Sequence, residues 1–165
     1  MGGPGWAGIG RAGETGRSRE RASWAGTQHR VGADTFGVMT TDLEQTVLVV
    51  DDEPQVVWML QFSLEAEGYR TYAARDGRTA IDEVKEHHPA MMLLDIMMPV
   101  MDGWSVLEQI QELPETERPR VVIVSARSSL RDRAKAAELG ADAFVAKPFN
   151  VDDLLGVLHG LEHAS

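Results

Sequence analysis

The apolar run Ala90–Leu94 ends directly in a carboxylate, Asp95. Five apolar residues are too few for a buried helix, and the run fits a strand that is covered on both faces. A charged side chain at the end of such a strand is costly unless neighbouring groups satisfy it. The possible neighbours of Asp95 therefore constrain both the fold and the function of this chain.

Three other short apolar runs, at residues 47–50, 121–124 and 143–146, also lead into polar or charged residues. Those residues are Asp51 and Asp52 after the first run, Ser125 after the second and Lys147 after the third. In an open parallel sheet, the carboxyl ends of the strands lie along one edge, and ligands bind at that edge. We therefore expect this edge to gather three aspartates, one hydroxyl group and one ammonium group.

Strands and helices alternate from residue 46 onward, which indicates a parallel sheet with helices on both faces. Short apolar runs predict strands at residues 46–50, 69–73, 91–94, 121–124 and 143–146. Apolar residues at helical spacing predict a helix after each strand. These helices are expected to run from Pro54 to about Glu67, from an Asp76–Gly77 turn to about His87, around residues 104–110 after an Asp102–Gly103 turn, from a cap at Ser128 or Ser129 to Gly140, and onward from a cap at Asn150.

Residues 1–38 differ in composition from the rest of the chain. They contain ten of its sixteen glycines and show neither helical nor strand periodicity, so a disordered tail is expected there. A start of the protein at Met39 is the alternative interpretation. The folded domain is expected to span residues 46–162, and no second folded domain is predicted after its last helix.

The negative charge of the chain is concentrated in the predicted domain. The net charge is −10 in total, but residues 1–38 carry +2, so the remainder carries −12. An acidic domain suits metal cations and basic partner surfaces better than nucleic acids. The chain has no cysteine, its N-terminus lacks the apolar segment of a secretory signal, and no apolar run approaches the roughly 20 residues of a membrane helix. A cytoplasmic protein that binds neither nucleic acid nor membranes is therefore expected.

Asp51, Asp52 and Asp95 form the part of the predicted edge that suits a metal ion. Carboxylates brought close together raise each other's pKa values, and a hard divalent cation removes their repulsion. Magnesium takes oxygen ligands and usually needs one or two protein carboxylates together with a phosphate group. The three aspartates are therefore interpreted as a magnesium site. The alternative for Asp51 and Asp52 is that they only cap the helix that begins at Pro54.

Ser125 and Lys147 supply what a phosphoryl group on a carboxylate needs besides a metal ion. An ammonium group spreads the negative charge, and a hydroxyl group donates a hydrogen bond to a phosphoryl oxygen. Carboxylates are known covalent acceptors of phosphoryl groups. The alternative interpretations are a helix-capping serine and a solvated lysine in a loop.

Four motifs together resemble the receiver domain of bacterial response regulators. They are Leu48–Pro54 with its aspartate pair, Leu94–Pro99 followed by Met101–Gly103, Ser125–Ala126, and Lys147–Phe149. The resemblance covers residues 46–162. It implies a doubly wound, flavodoxin-like α/β fold with five parallel strands in the order 2-1-3-4-5 and five helices.

The resemblance also implies a role for each residue of the acidic cluster. Asp95 would accept a phosphoryl group from a sensor histidine kinase or a phosphotransfer protein. Mg²⁺ would be bound by Asp52 and Asp95, by Asp51 through water, and by the backbone carbonyl of Met97.

A second group of residues would respond to phosphorylation. Ser125 would move to bond the phosphoryl group, Lys147 would form an ion pair with it, and the Lys147–Pro148 bond is expected to be cis. Phe144 matches the switch aromatic residue but lacks the hydroxyl group of the tyrosine that many members have. The domain would signal to a downstream protein as a two-state switch through its fourth helix, fifth strand and fifth helix. It would be a stand-alone regulator and not an enzyme, apart from its part in its own phosphoryl transfer and dephosphorylation.

Other classes of protein stay open as alternatives. Haloacid-dehalogenase phosphatases also combine a nucleophilic aspartate, a serine or threonine, a lysine and magnesium on a parallel sheet. Their second aspartate lies two residues after the first, where this chain has Glu53 after Asp51 and Met97 after Asp95. The remaining alternatives are a DNA-binding regulator cut at its output domain and a receiver-like binding module that is never phosphorylated.

Overall fold

The computed structural model describes residues 46–164, and every element below lies in that part of the chain. The strands are β1 Thr46–Val50, β2 Arg70–Ala74, β3 Met91–Leu94, β4 Arg120–Ser125 and β5 Ala143–Ala146. The helices are α1 Pro54–Ala66, α2 Gly77–His87, α3 Gly103–Glu112, α4 Leu130–Glu138 and α5 Val151–Glu162. All strands are parallel, in the order β2-β1-β3-β4-β5. The predicted fold class and strand order are confirmed, whereas the expected tail at residues 1–38 and the alternative start at Met39 lie outside the described residues.

The sheet separates two apolar cores because successive side chains of a strand point to opposite faces. In β1, Leu48 and Val50 belong to the core beneath α2, α3 and α4, whereas Val47 and Val49 belong to the core beneath α1 and α5. None of the four side chains is more than 1 % exposed. Burial of each such side chain contributes about 1.5–3 kcal/mol, so both faces of this interior strand hold helices against the sheet.

The pairs Asp76–Gly77 and Asp102–Gly103, expected as separate turns, form the starts of α2 and α3. The Asp102 carboxylate accepts a hydrogen bond from the Ser105 N–H at 2.9 Å, and Asp76 caps α2 in the same way. An aspartate at this position satisfies an amide that the first turn leaves unpaired. Glycine follows Asp102 because a Cβ atom on Gly103 would overlap the carbonyl oxygen of Asp95. The start of α3 is therefore packed directly against the loop that carries Asp95.

The other differences from the sequence prediction lie at the ends of elements. β2 is shifted by one residue because Arg70, not Tyr69, pairs with Thr46 of β1. β4 is longer by one residue at each end, and a short 3-10 helix at residues 115–117 occupies the loop before it. Of the two predicted caps for α4, Ser129 is used, and its hydroxyl accepts a hydrogen bond from the Asp132 N–H. The apolar patterns show where an element lies, but they fix its ends only to within about one or two residues.

Candidate functional site

The ends of β1 and β3 bring the three aspartates together. Val50 lies beside Leu94 in the paired strands, so the next residue on each strand, Asp51 or Asp95, is at the same edge. One carboxylate oxygen from each of Asp51, Asp52 and Asp95 lies within 4.8 Å of the others. Asp51 and Asp95 are 2 % and 4 % exposed, and Asp52 is half-buried. The strand ends thus form an acidic cluster in which two carboxylates are almost fully removed from solvent.

Lys147 reaches this cluster from the end of β5, on the far side of β4. Its Nζ atom lies 2.6 Å from Asp51 Oδ2 and 3.2 Å from Asp95 Oδ2. Its backbone N–H donates to the Ser125 carbonyl oxygen at 2.9 Å. The Lys147–Pro148 peptide bond is cis, as the resemblance implied. The long lysine side chain therefore passes over the end of β4 and pairs with carboxylates of both central strands.

Burial and charge pairing act against each other in this cluster. Loss of solvent raises the pKa of the Asp95 carboxyl group above its ordinary value, although the Met97 N–H and the Lys147 ammonium group oppose this rise. For Lys147, burial lowers the pKa, but Asp51 and Asp95 outweigh burial, so the pKa is raised and the ammonium form is favoured. One ammonium group cannot neutralise three carboxylates. The remaining negative charge suits a bound cation.

Ser125 lies at the end of β4 on the same edge of the sheet and is fully buried. β4 pairs with β3 so that Ile123 lies beside Leu94, two residues before Ser125. The Ser125 Oγ atom accepts a hydrogen bond from the Arg127 N–H at 3.1 Å. Because the oxygen is the acceptor in this contact, the hydroxyl proton stays available for another partner.

Met97 contacts the cluster directly, whereas Phe144 lies on β5, three residues before Lys147. The Met97 N–H donates to Asp95 Oδ1 at 3.0 Å, and its side chain is 53 % exposed. The role of its carbonyl group as a metal ligand stays a prediction. Phe144 is half-buried on β5, and the Arg133 guanidinium carbon lies 4.8 Å from the centre of its ring.

Sequence reasoning missed the ion pair between Arg127 and Asp132. Arg127 Nη2 lies 2.9 Å from Asp132 Oδ1, and Asp132 is only 7 % exposed. Hydrogen bonding from the Ser129 hydroxyl, and then the Arg127 charge, lowers the pKa of the Asp132 carboxyl group. A serine three residues before an aspartate at a helix start is a capping signal, and it could have identified the Ser129–Asp132 part of this arrangement.

A stacked pair of exposed aromatic residues lies on α1, the helix that begins beside the acidic cluster. Trp58 is 69 % exposed and Phe62 is 65 % exposed, with ring centres 5.6 Å apart. Both lie on the side of the helix away from the buried Leu60 and Leu64. Trp104 on α3, in contrast, is 6 % exposed and belongs to the core. The spacing of four residues between Trp58 and Phe62 was the available signal for a shared outer face.

Comparisons with known proteins identify the class to which this fold and site belong. A family model described as the response regulator receiver domain matches residues 47–159. The structure is similar to a CheY-like receiver domain protein from Methanospirillum hungatei JF-1, with a TM-score of 0.67 and 27 % identity over 72 % of this chain and 93 % of that one. For chemotaxis protein CheY4 of Vibrio cholerae, the TM-score is 0.66 and the identity 26 %, over 70 % of this chain and 96 % of that one. For a response regulator receiver domain from Bermanella marisrubri, the TM-score is 0.64 and the identity 29 %, over 71 % of this chain and 97 % of that one. The chain belongs to the response regulator receiver domain family.

Membership of this family relates the acidic cluster to the metal-binding clusters of other receiver domains. Receiver domains are typically signalling switches that interact with histidine kinases or phosphotransfer proteins, and they generally bind Mg²⁺ at a cluster of aspartates. Asp51, Asp52 and Asp95 form such a cluster here. Their carboxylate oxygens are the ligands that this hard cation prefers, so the residues present fit the ion. Within residues 46–164, no helix has the length and apolar character needed to cross a membrane.

Proposed function

We propose that this protein is a phosphoacceptor switch of a two-component system, in which Asp95 takes a phosphoryl group from a sensor histidine kinase or phosphotransfer protein. The observation that carries the proposal is the placement of one nearly buried carboxylate, Asp95, beside an ammonium group and two further carboxylates at the ligand-binding edge of the sheet. The switch would act in the cytoplasm and signal through contact with another protein, without binding DNA itself.

Asp95 is the proposed nucleophile. Its Oδ1 atom accepts a hydrogen bond from the Met97 N–H, and its Oδ2 atom lies 3.2 Å from Lys147 Nζ. Both contacts favour the ionised carboxylate, which is the form that can attack phosphorus, against the burial that raises the pKa. In transfer from a kinase phosphohistidine, an Asp95 oxygen forms the new O–P bond, the P–N bond breaks, and its electron pair returns to the imidazole.

The neighbours of Asp95 would hold the charge of the transferred group. Asp51, Asp52 and Asp95, with the carbonyl group of Met97, would bind Mg²⁺, which supplies positive charge against the phosphoryl oxygens when bound. Lys147 already lies within 3.2 Å of two carboxylates. A small movement of its ammonium group would pair it with a phosphoryl oxygen instead.

Ser125 would link the chemistry to the switch. Its hydroxyl group can donate to a phosphoryl oxygen, and turning it would disturb the hydrogen bond that its oxygen now accepts from Arg127. We propose that Phe144 on the neighbouring strand turns inward in response, which changes the surface formed by α4, β5 and α5 for a downstream protein. Because Phe144 has no hydroxyl group, its two positions would differ in packing and in its contact with Arg133.

This function is tested by the intact-protein mass after incubation with acetyl phosphate and magnesium. We expect one phosphoryl group on the native protein and none on the Asp95→Asn variant or when a chelator removes the metal. Asp102→Asn is the matched control, because Asp102 is an exposed carboxylate that caps α3 and asparagine caps a helix equally well. That control should be phosphorylated like the native protein.

Two other results would contradict this function and favour another class of protein. A native protein that is folded and supplied with magnesium, yet gains no mass, would indicate a receiver-like module that is never phosphorylated by this donor. Steady hydrolysis of a phosphate ester such as p-nitrophenyl phosphate would indicate a phosphatase, since a receiver should not turn over such a substrate.

The exposed pair Trp58 and Phe62 is proposed as part of the surface that meets the phosphodonor protein. Trp58 and Phe62 are the fifth and ninth residues of α1, which begins two residues after Asp52. Both are exposed, and exposed aromatic residues are enriched where proteins bind one another. In a screen of purified sensor kinases, Trp58→Ala and Phe62→Ala should slow phosphotransfer about tenfold or more. Both variants should accept a phosphoryl group from acetyl phosphate at the native rate, because a small donor needs no docking surface. An equal loss with both donors would instead place the effect in the acidic cluster or in folding.

A further inference from the structure

Helix α4 is attached to the domain mainly through charged side chains. Of its nine residues, Asp132 and Ala136 are buried, whereas the neighbouring α3 buries five of its ten residues. A helix with so little buried apolar surface depends on its polar contacts to keep its position.

One of these contacts joins the start of α4 to the candidate site. The Arg127 N–H donates to Ser125 Oγ at 3.1 Å, and the Arg127 guanidinium group donates to Asp132 Oδ1 at 2.9 Å. Asp132 also accepts hydrogen bonds from the hydroxyl and the N–H of Ser129, which close the first turn of the helix. Ser125 and the first turn of α4 are thus connected through a single residue, Arg127.

Two further contacts hold the sides of α4 to its neighbours. The Arg133 guanidinium carbon lies 4.8 Å from the centre of the Phe144 ring on β5, and Lys135 Nζ lies 4.6 Å from the centre of the Trp104 ring on α3. Both distances are within the range of about 6 Å in which a cation is attracted to the face of an aromatic ring. Arg133 directly follows Asp132 in the chain. The contact between Asp132 and Arg127 and the contact between Arg133 and Phe144 therefore start from adjacent residues of α4.

We propose that Arg133 is a positioning residue that holds Phe144 and α4 in the unphosphorylated arrangement. The inference rests on the proposed function, because it concerns the switch that phosphorylation of Asp95 would drive. The guanidinium group contacts the ring in its present half-buried position, so a rotation that carries Phe144 further inward breaks the contact. Since phenylalanine has no hydroxyl group to anchor it there, the cation supplies the directional interaction that fixes the ring.

Removal of this contact should shift the switch before any phosphoryl group is present. In the Arg133→Gln variant, the inward state of Phe144 becomes less costly relative to the outward state, so its population rises. A partly exposed cation–ring contact corresponds to roughly a two- to fivefold change in that population. The rate of phosphorylation by acetyl phosphate should rise by up to the same factor, because the phosphoryl group favours the inward state.

The test compares Arg133→Gln with Arg131→Gln, which removes the same charge from another exposed position of the same helix. The first readout is the rate of mass gain with acetyl phosphate and magnesium. The second is the NMR signal of the Phe144 ring in unphosphorylated protein labelled at phenylalanine, assigned by its absence in Phe144→Leu. We expect Arg133→Gln alone to change both, and Arg133→Lys, which keeps a cation, to restore most of the native behaviour.

Equal effects of Arg131→Gln and Arg133→Gln would overturn the inference, since net charge and not the ring contact would then be responsible. An unchanged Phe144 signal in Arg133→Gln would overturn it as well. If acetyl phosphate modifies none of the proteins, the proposed function is wrong for this donor. In that case the Phe144 signal alone still decides whether Arg133 holds the ring.

Discussion

Replacing Lys147 with methionine should lower the free energy of unfolding by about 3 kcal/mol at neutral pH without magnesium. The native ammonium group lies 2.6 Å and 3.2 Å from the Asp51 and Asp95 carboxylates, and those two side chains are only 3 % and 5 % exposed. Methionine keeps most of the apolar length of lysine but leaves two buried carboxylates facing each other without a cation. Removal of one partner from a buried ion pair is strongly destabilising because the other charge stays buried.

Magnesium should restore much of this loss, because a bound cation replaces the missing positive charge. The stabilisation that saturating Mg²⁺ gives should therefore be larger for Lys147→Met than for the native protein, and urea unfolding with and without a chelator measures both. Lys85→Met is the matched control, since Lys85 is an exposed residue of α2. Its effect should stay within about 0.5 kcal/mol. Equal costs for the two lysine variants would contradict the idea that Lys147 compensates part of the negative charge of the acidic cluster.

In the presence of a chelator at neutral pH, the Asp95→Asn variant should have a free energy of unfolding about 1 kcal/mol higher than that of the native protein. Burial raises the pKa of Asp95 in the folded protein, so the ionised carboxylate that exists at neutral pH is a cost to folding. Asparagine keeps an oxygen that can accept from the Met97 N–H, and Lys147 keeps its contact with Asp51. The variant therefore removes the costly charge and little else.

The sign of the pH dependence follows from the direction of this shift. A carboxyl group with a raised pKa in the folded state holds its proton more tightly there than in the unfolded chain. Its favourable contribution is present at low pH and is lost as the pH rises from the unfolded to the folded pKa. The advantage of Asp95→Asn should thus be larger at neutral pH than at about pH 4, where carboxyl groups ordinarily titrate.

Urea unfolding at both pH values measures this difference, with Asp102→Asn as the control for an exposed carboxylate. Added Mg²⁺ should stabilise the native protein more than Asp95→Asn and so reduce the gap between them. An Asp95→Asn variant that is less stable than the native protein at neutral pH would show that the Asp95 charge is well compensated without metal. In that case the account of the site as one short of positive charge would be wrong.

Much of the architecture could be predicted from the sequence because the pattern is redundant. Residues 91–94 and 121–124 are continuous apolar runs, and short runs of this kind are typical of strands that are buried on both faces. Three of the five predicted strands have the same bounds in the structure. The order of the strands could not be predicted in this way, because the alternation of strands and helices predicts a parallel sheet but not which strands are neighbours. That order came from the resemblance to receiver domains.

The members of the candidate site could be predicted because of where the strands end. A parallel sheet places all its carboxyl ends along one edge, so correct strand assignments put Asp51, Asp95 and Ser125 on that edge. The strand order that the resemblance implied then made them neighbours. Lys147 also needed a side chain long enough to pass over β4, and its contacts with both aspartates are a structural finding. The chemical roles of these residues stay predictions until a phosphoryl group is measured.

The contacts around α4 could not be predicted, because they depend on how one helix is rotated on the sheet. Arg131, Arg133 and Lys135 look alike in the sequence as a run of exposed cations. In the structure, two of them lie over aromatic rings of different neighbouring elements, at Phe144 and Trp104. Side-chain directions of this kind follow from tertiary packing and leave no periodic signal in the chain.

If Asp95 is the phosphoacceptor, the phosphoryl group can be located there at residue level. The native protein would be phosphorylated with acetyl phosphate and magnesium and then reduced with borohydride, which converts an aspartyl phosphate to homoserine. Digestion and peptide mass mapping then identify the changed residue. We expect homoserine at position 95 and at no other aspartate. Homoserine at position 51 or 52, or an unchanged peptide from a folded protein that contains magnesium, would contradict it.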